Sequence, residues 1–325
     1  MLLAFAFAPL GCFVIDDKAN TPMNPADAEP RVFEVPPGST AKGLAPALVQ
    51  AGLVDSEWTW RLWLKRSGAG GCLKAGRFKV SPAMALPELM ETLCGAPIPN
   101  DEPFTIVEGW RIREIDAALT ERGWIEAGAY ARAAGEPGRF KLPQGLGEVS
   151  SLEGLLYPET YMVDPMKFSV DVFIQRQLDT FTERLGPTPN LGQRTLYEVV
   201  IMASMLEREE PTPANRPLVA GILWKRIDSQ WNLGVDATSR YTLAEWNDRD
   251  AFLKRLRDPD DPYNTRLRPG LPPTPIGNPN ADSLQAAMNP VPSEYWYYLH
   301  DKDGVLHPSR NAAEHQSYRQ KYGIW

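Results

Sequence analysis

The sequence predicts an α+β protein: a small β-α-α-β-α unit followed by a larger mixed α/β domain. Apolar residues recur at helical spacing in several stretches, most clearly in a helical pair between 195 and 230. Short alternating segments, Arg31 to Val35 among them, read as strands. The chain has 325 residues, 43% hydrophobic and 23% charged, enough for one large domain or two ordinary ones and too apolar for a disordered tail.

The elements follow in order. Arg31 to Val35 alternates as a strand, and Pro36-Pro37-Gly38 turns the chain. Ser39 or Thr40 then caps a helix running through Leu48, and Gly52 ends it. A second helix starts at Ser56 and runs to Arg66. Gly76 to Val80 is a strand, and Ser81 caps a third helix over roughly Ala85 to Leu93. Phe104 to Val107 reads as a strand. Arg111 to Leu119 is helical, with Ile112, Ile115 and Leu119 on one face. Helices are also expected over Ala127 to Ala134, Val170 to Leu185, Ala281 to Met288 and Ala312 to Tyr322, with a glycine-rich loop over 135–150 and an aromatic strand over Tyr295 to His300. The resulting divisions are a leader (1–15), a linker (16–30), a small unit (31–98) and a larger domain (99–325).

Composition excludes some functions. Lys and Arg total 34 against 41 Asp and Glu, a net charge of −7, so phosphate-backbone binding is not expected and no nucleic-acid partner is assigned. The 31 prolines are about twice the usual share. They cluster at 211–217, 258–279 and 290–292 and mark rigid connections. Met1 to Ile15 carries no charge. At 1.5 Å per residue it reaches roughly 22 Å, short of a ~30 Å hydrocarbon core. The expectation is a truncated membrane anchor whose span begins upstream of Met1, with a cleaved signal or a buried helix as alternatives. The Cys12 context, Pro9-Leu10-Gly11-Cys12, matches lipidation poorly. Cys72 and Cys94 either pair in an oxidising compartment or stay as two reduced thiols. No CxxC or Cys/His zinc spacing is present, and the three histidines lack HExxH spacing, so no metal is expected. GxSxG, SxxK and GxxxxGK[ST] are absent too, which argues against serine acyl transfer and nucleotide chemistry.

The most informative stretch runs from Thr195 to Glu209. Thr195 and Glu198 have capping-box spacing, and Pro211 stops the helix. At about 100° per residue, Glu207 falls inside the stripe of Leu196, Val200 and Ala203, while Glu198, Arg208 and Glu209 fall on the polar side. An apolar setting raises a carboxyl's pKa and suits it to general-acid work. The competing reading has Glu207 reaching solvent or pairing with Arg216 or Arg226.

The run MASMLERE (202–209) resembles the catalytic helix of the endolytic murein transglycosylase (MltG, YceG-like) family. Five more blocks agree in order: VEGWRIREI (107–115), SLEGLLYPETY (151–161), VAGILWKRIDSQWNLGVDATSRY (219–241), YNTRLRPGLPPTPIGNPNADSLQAAMNP (263–290) and AEHQSY (313–318). The resemblance covers roughly 32–322. The chain departs from it where Ala237 replaces the proline of an Asp-Pro-Thr motif and where Pro308 stands in place of an aromatic.

The resemblance implies a LysM-like small unit beside a YceG-like catalytic domain, and an N-terminal membrane helix holding that domain outside the cytoplasm. It also implies cleavage of the MurNAc-β-1,4-GlcNAc bond within glycan strands by attack of the muramic C6 hydroxyl, giving 1,6-anhydro ends and terminating nascent strands. Glu207 would be the single acid and base, with no cofactor. The weaker substrate-binding candidates are Glu159, Asp236, Thr238, Asn264 and Thr265, each with a loop-bracing or turn-capping alternative. Peptidoglycan is the expected partner, and peptidoglycan synthases are a family-level expectation. A catalytically silent, membrane-tethered glycan-binding scaffold and a hydrolytic muramidase are the rival functions.

Overall fold

The computed structural model describes residues 17–187 and 191–324, so the expected anchor lies outside the described residues. The described residues form two compact units, one ending at Asn100 and the other beginning at Asp101. Among the described residues, no helix is long and apolar enough to cross a membrane.

The first unit pairs β1 (Arg31–Val35) antiparallel with β2 (Gly76–Val80), Phe33 opposite Phe78. Alternation sends Phe33, Val35, Phe78 and Val80 into a core shared with α1 (Ala45–Gln50), α2 (Glu57–Ser67) and α3 (Leu86–Cys94). Ser56 caps α2 by accepting the Thr59 N–H at 3.2 Å. Two expected caps do not form. Thr40 Oγ1 accepts the Gly43 N–H in a turn that precedes α1, and Pro46 sits in the helix's first turn. Ala85, not Ser81, stands at the start of α3. Trp60 is fully buried and donates its indole N–H to the Ala41 carbonyl at 2.6 Å. Cys72 and Cys94 form a disulfide, which decides between the two readings of these thiols.

The second unit opens with β3 (Glu102–Thr105), antiparallel to β4 (Thr160–Val163). The strand expected to reach Val107 ends sooner because the Trp110 N–H bonds to the Val107 carbonyl and Gly109 turns at φ 75°. Then come α4 (Ile112–Glu121), α5 (Ala129–Ala134), α6 (Val170–Leu185), α7 (Leu196–Glu209) and α8 (Arg216–Asp228). Two short helices, α9 (Asp236–Tyr241) and α10 (Arg249–Arg255), lie where the sequence reading assigned no element. After a proline-rich loop come α11 (Ala281–Met288), the hairpin β5 (Tyr297–His300) and β6 (Leu306–Ser309), and α12 (Ala312–Tyr322).

At the centre is α7. Every residue from Val199 to Leu206 is buried, so the helix is enclosed on all sides instead of along one stripe. The proline-rich loop docks on its middle: the Ile276 N–H donates to Ser204 Oγ at 3.0 Å. Asn278 then ties two distant turns together. Its Oδ1 accepts the Leu156 N–H at 3.0 Å, and its Nδ2 donates to the Trp110 carbonyl at 2.8 Å. Nearby, Glu153 is buried and accepts the Ile112 N–H and the Tyr241 hydroxyl, at 3.2 and 3.1 Å. Loss of water pushes this carboxyl up to about 8, while its hydrogen bond to the Ile112 N–H braces the start of α4.

Candidate active site

At its first turn α7 is closed by a reciprocal cap: Thr195 Oγ1 accepts the Glu198 N–H, and Glu198 returns to the Thr195 N–H at 2.7 Å. At its last turn four consecutive side chains diverge. The Glu207 side chain is 5% exposed and pairs with Arg216 at 3.0 Å, itself 4% exposed. It also accepts the Asn280 N–H at 2.9 Å. Arg216 reaches on to Asn280 Oδ1 and the Glu210 carbonyl, both at 3.0 Å. Glu207 is thus sheltered as its stripe predicts, but the shelter is an ion pair joining α7, α8 and the start of α11. Arg208 bonds the Gly109 carbonyl and covers the Trp246 ring.

Glu209 behaves differently. It lines a polar cleft of about 510 Å³ whose walls include Asp236, Arg266, Tyr298, His300 and Arg319. The cleft is framed by the end of α7, the start of α9, the β5–β6 hairpin and α12. Burial raises the Glu209 pKa, and the nearby Asp236 charge adds to the rise. Three groups oppose it: the Ala237 N–H at 3.2 Å, the Tyr298 hydroxyl at 3.3 Å, and His300 through its charge. The net direction is upward. Tyr298 is pushed well above the ordinary tyrosine range by burial and the Glu209 charge, so it remains a donor. His300 Nε2 meets the buried Glu210 carboxylate at 2.9 Å, and that carboxylate also accepts the Thr212 N–H.

The other expected site residues scatter. Asp236 lines the cleft, held by Arg266 at 2.5 Å. Thr238 and Thr265 are buried and bond each other at 3.0 Å, and both also bond Val235 backbone groups, which braces the turn before α9. Asn264 is buried and donates to the Arg255 and Asp258 carbonyls. Glu159 pairs with Arg184 at 2.7 Å in a separate, exposed hollow. The bracing alternatives therefore describe Thr238, Asn264 and Thr265. Helical spacing did not single out Glu209, Tyr298 and His300 as cleft residues. The available signal was the alternation of Tyr298 and His300 on one face of the aromatic strand.

A polar cleft lined by a carboxyl whose pKa burial raises, on an enclosed helix of an α+β domain, is the setting that general acid–base chemistry requires. The sequence profile of the YceG-like family matches residues 33–321, and the chain belongs to that family. It is 25% identical over 305 residues to the endolytic murein transglycosylase of Bacillus subtilis, covering 89% of this chain and 84% of that protein. It is 24% identical to the endolytic murein transglycosylase of Streptococcus pneumoniae strain D39, covering 90% of this chain but 58% of that longer protein. A crystal structure of a YceG-like protein from Listeria monocytogenes superposes with a TM-score of 0.58 at 23% identity, covering 89% of this chain and 99% of the other.

Proposed function

We propose that this chain is an endolytic lytic transglycosylase that cuts the MurNAc-β-1,4-GlcNAc bond within murein glycan strands, with Glu209 as its acid. The observation that carries this reading is the environment of Glu209: a carboxyl with a raised pKa at the base of a polar cleft, in a family whose relatives are named for that activity. Hydrolytic glycosidases need a second free carboxylate as nucleophile or base. Here the second acid on the wall, Asp236, is tied to Arg266.

Protonated Glu209 gives its proton to the leaving glycosidic oxygen as the C1–O bond breaks. The carboxylate it becomes is stabilised by the Ala237 N–H and the Tyr298 hydroxyl. It then takes the proton of the muramic C6 hydroxyl, whose oxygen bonds to C1 and closes the 1,6-anhydro ring. The attacking group is already part of the substrate, so its effective concentration replaces water activation. No cofactor takes part in this scheme.

This chemistry belongs outside the cytoplasm, and the Cys72–Cys94 disulfide suits an oxidising compartment. Three parts of the reading go further: attachment through a leader that includes residues 1–15, a LysM-like role for the 31–98 unit, and cooperation with the synthases whose nascent strands the cut would end. Nothing in the cleft favours a silent scaffold.

Purified sacculi and mass spectrometry of the released muropeptides test the assignment. Wild type should release products one water lighter than hydrolysis gives. Glu209→Gln should lose about 100-fold or more of that release, the scale of a missing general acid. Glu207→Gln leaves the cleft carboxyl in place, so it should weaken folding more than it weakens turnover. Full activity in Glu209→Gln would return the acid role to another residue.

A further inference from the structure

Beyond the acid at its base, the cleft has a rim that continues outward as an aromatic surface. Helix α8 ends at Asp228, and Gln230 takes a left-handed conformation at φ 56°. The Trp231 N–H then bonds back to the Arg226 carbonyl at 2.8 Å. That turn leaves a whole indole 39% exposed. Trp231 lies 4.8 Å from Trp296, centroid to centroid, and meets Tyr297 edge-on at 5.5 Å. Tyr297 itself lines the cleft, and so do Gly234 and Asp236, a few residues beyond Trp231. The aromatic surface therefore continues from the cleft wall without a break.

The platform is also held rigidly. Arg226 donates to the Trp296 carbonyl at 2.8 Å and bonds the Leu233 carbonyl, so one guanidinium fixes both the β5 strand and the 231–235 segment. Lys225 donates to the Ser293 and Tyr295 carbonyls and lies 4.1 Å from the Trp296 ring centre. An exposed Trp231 indole backed this firmly by the half-buried Trp296 offers a broad π face at little ordering cost. The C–H face of a pyranose ring matches such a face, through weak C–H contacts and exclusion of water.

We propose that Trp231, backed by Trp296, forms an outer glycan subsite that stacks on a sugar of the strand lying beyond the cleavage cleft. This rests on the proposed murein substrate and extends it: gripping the polymer away from the scissile bond favours cutting inside strands.

The test uses the full chain carrying Glu209→Gln, so that strands bind without being cut, and reads tryptophan fluorescence on titration with uncrosslinked murein glycan strands stripped of peptide. Adding Trp231→Ala should weaken binding of long strands about tenfold, the scale of one lost aromatic contact. Trp231→Phe, which keeps a ring face, should recover most of it. Unchanged affinity in Trp231→Ala would overturn the subsite. Wild type releasing anhydro products separates that outcome from failure of the glycan reading, which would appear as neither binding nor product in wild type.

Discussion

Three carboxyls crowd the end of α7, and what surrounds each decides its role. Glu207 is neutralised by Arg216, and Glu210 is occupied by His300 and the Thr212 N–H. Only Glu209 of the three faces the cleft, with Tyr298 and the Ala237 N–H as its donors. Tyr298→Phe should expose that tuning. The hydroxyl favours the ionised carboxylate, so losing it raises the Glu209 pKa further. A general acid works while protonated and stops as pH rises through its pKa. The alkaline limb of the rate profile should therefore move to higher pH in the variant, and turnover at its optimum should fall. An unmoved limb would remove Tyr298 from the site. Choosing between Glu207 and Glu209 was beyond the helical wheel for a physical reason. The wheel assumes one apolar and one wet side, whereas α7 is covered all round, and its nominally polar side at Glu209 is roofed by β5 and α9.

Elements with strong periodicity were legible: α6 and α11 occupy the expected spans, and Thr195 and Ser56 cap as their spacing implied. Short polar elements such as α9 and α10 were not, because their few turns are stabilised by distant groups instead of by local pattern. Thr265, for instance, fixes the entry to α9 by accepting the Val235 N–H. A similar dependence on remote backbone appears in α8. A Cβ at Gly221 would lie 1.9 Å from the Val291 carbonyl oxygen, which belongs to the strap leading to β5. The strap is itself pinned by the Val291 N–H to the Pro217 carbonyl at 2.9 Å. Gly221→Ala should thus cost about 2–3 kcal/mol of stability, as overpacking does, in urea unfolding of the purified chain. A stability equal to wild type would mean the strap yields freely.

Across the whole molecule, three of the blocks that carried the family resemblance meet as scaffold, at 107–115, 151–161 and the 275–278 part of 263–290. The turn at 109–112, the turn at 153–156 and the loop at 275–278 meet through Asn278, Glu153 and Ser204, all buried. Their order in the sequence reports the shape that holds α7, while the walls of the cleft at Glu209 come from α9, β5 and α12. Since the disulfide lies wholly in the first unit, reduction should destabilise that unit by about 3 kcal/mol, the value for a loop of this length, and leave the second unit's calorimetric transition in place. A shift in both transitions would show the units to be thermally coupled. The cross-link has a consequence for biogenesis as well. Thiols stay reduced in the cytosol, so this bond closes only in an oxidising compartment. On the proposed function, the first unit gains its final increment of rigidity outside the cytosol, beside the wall where the enzyme is proposed to work.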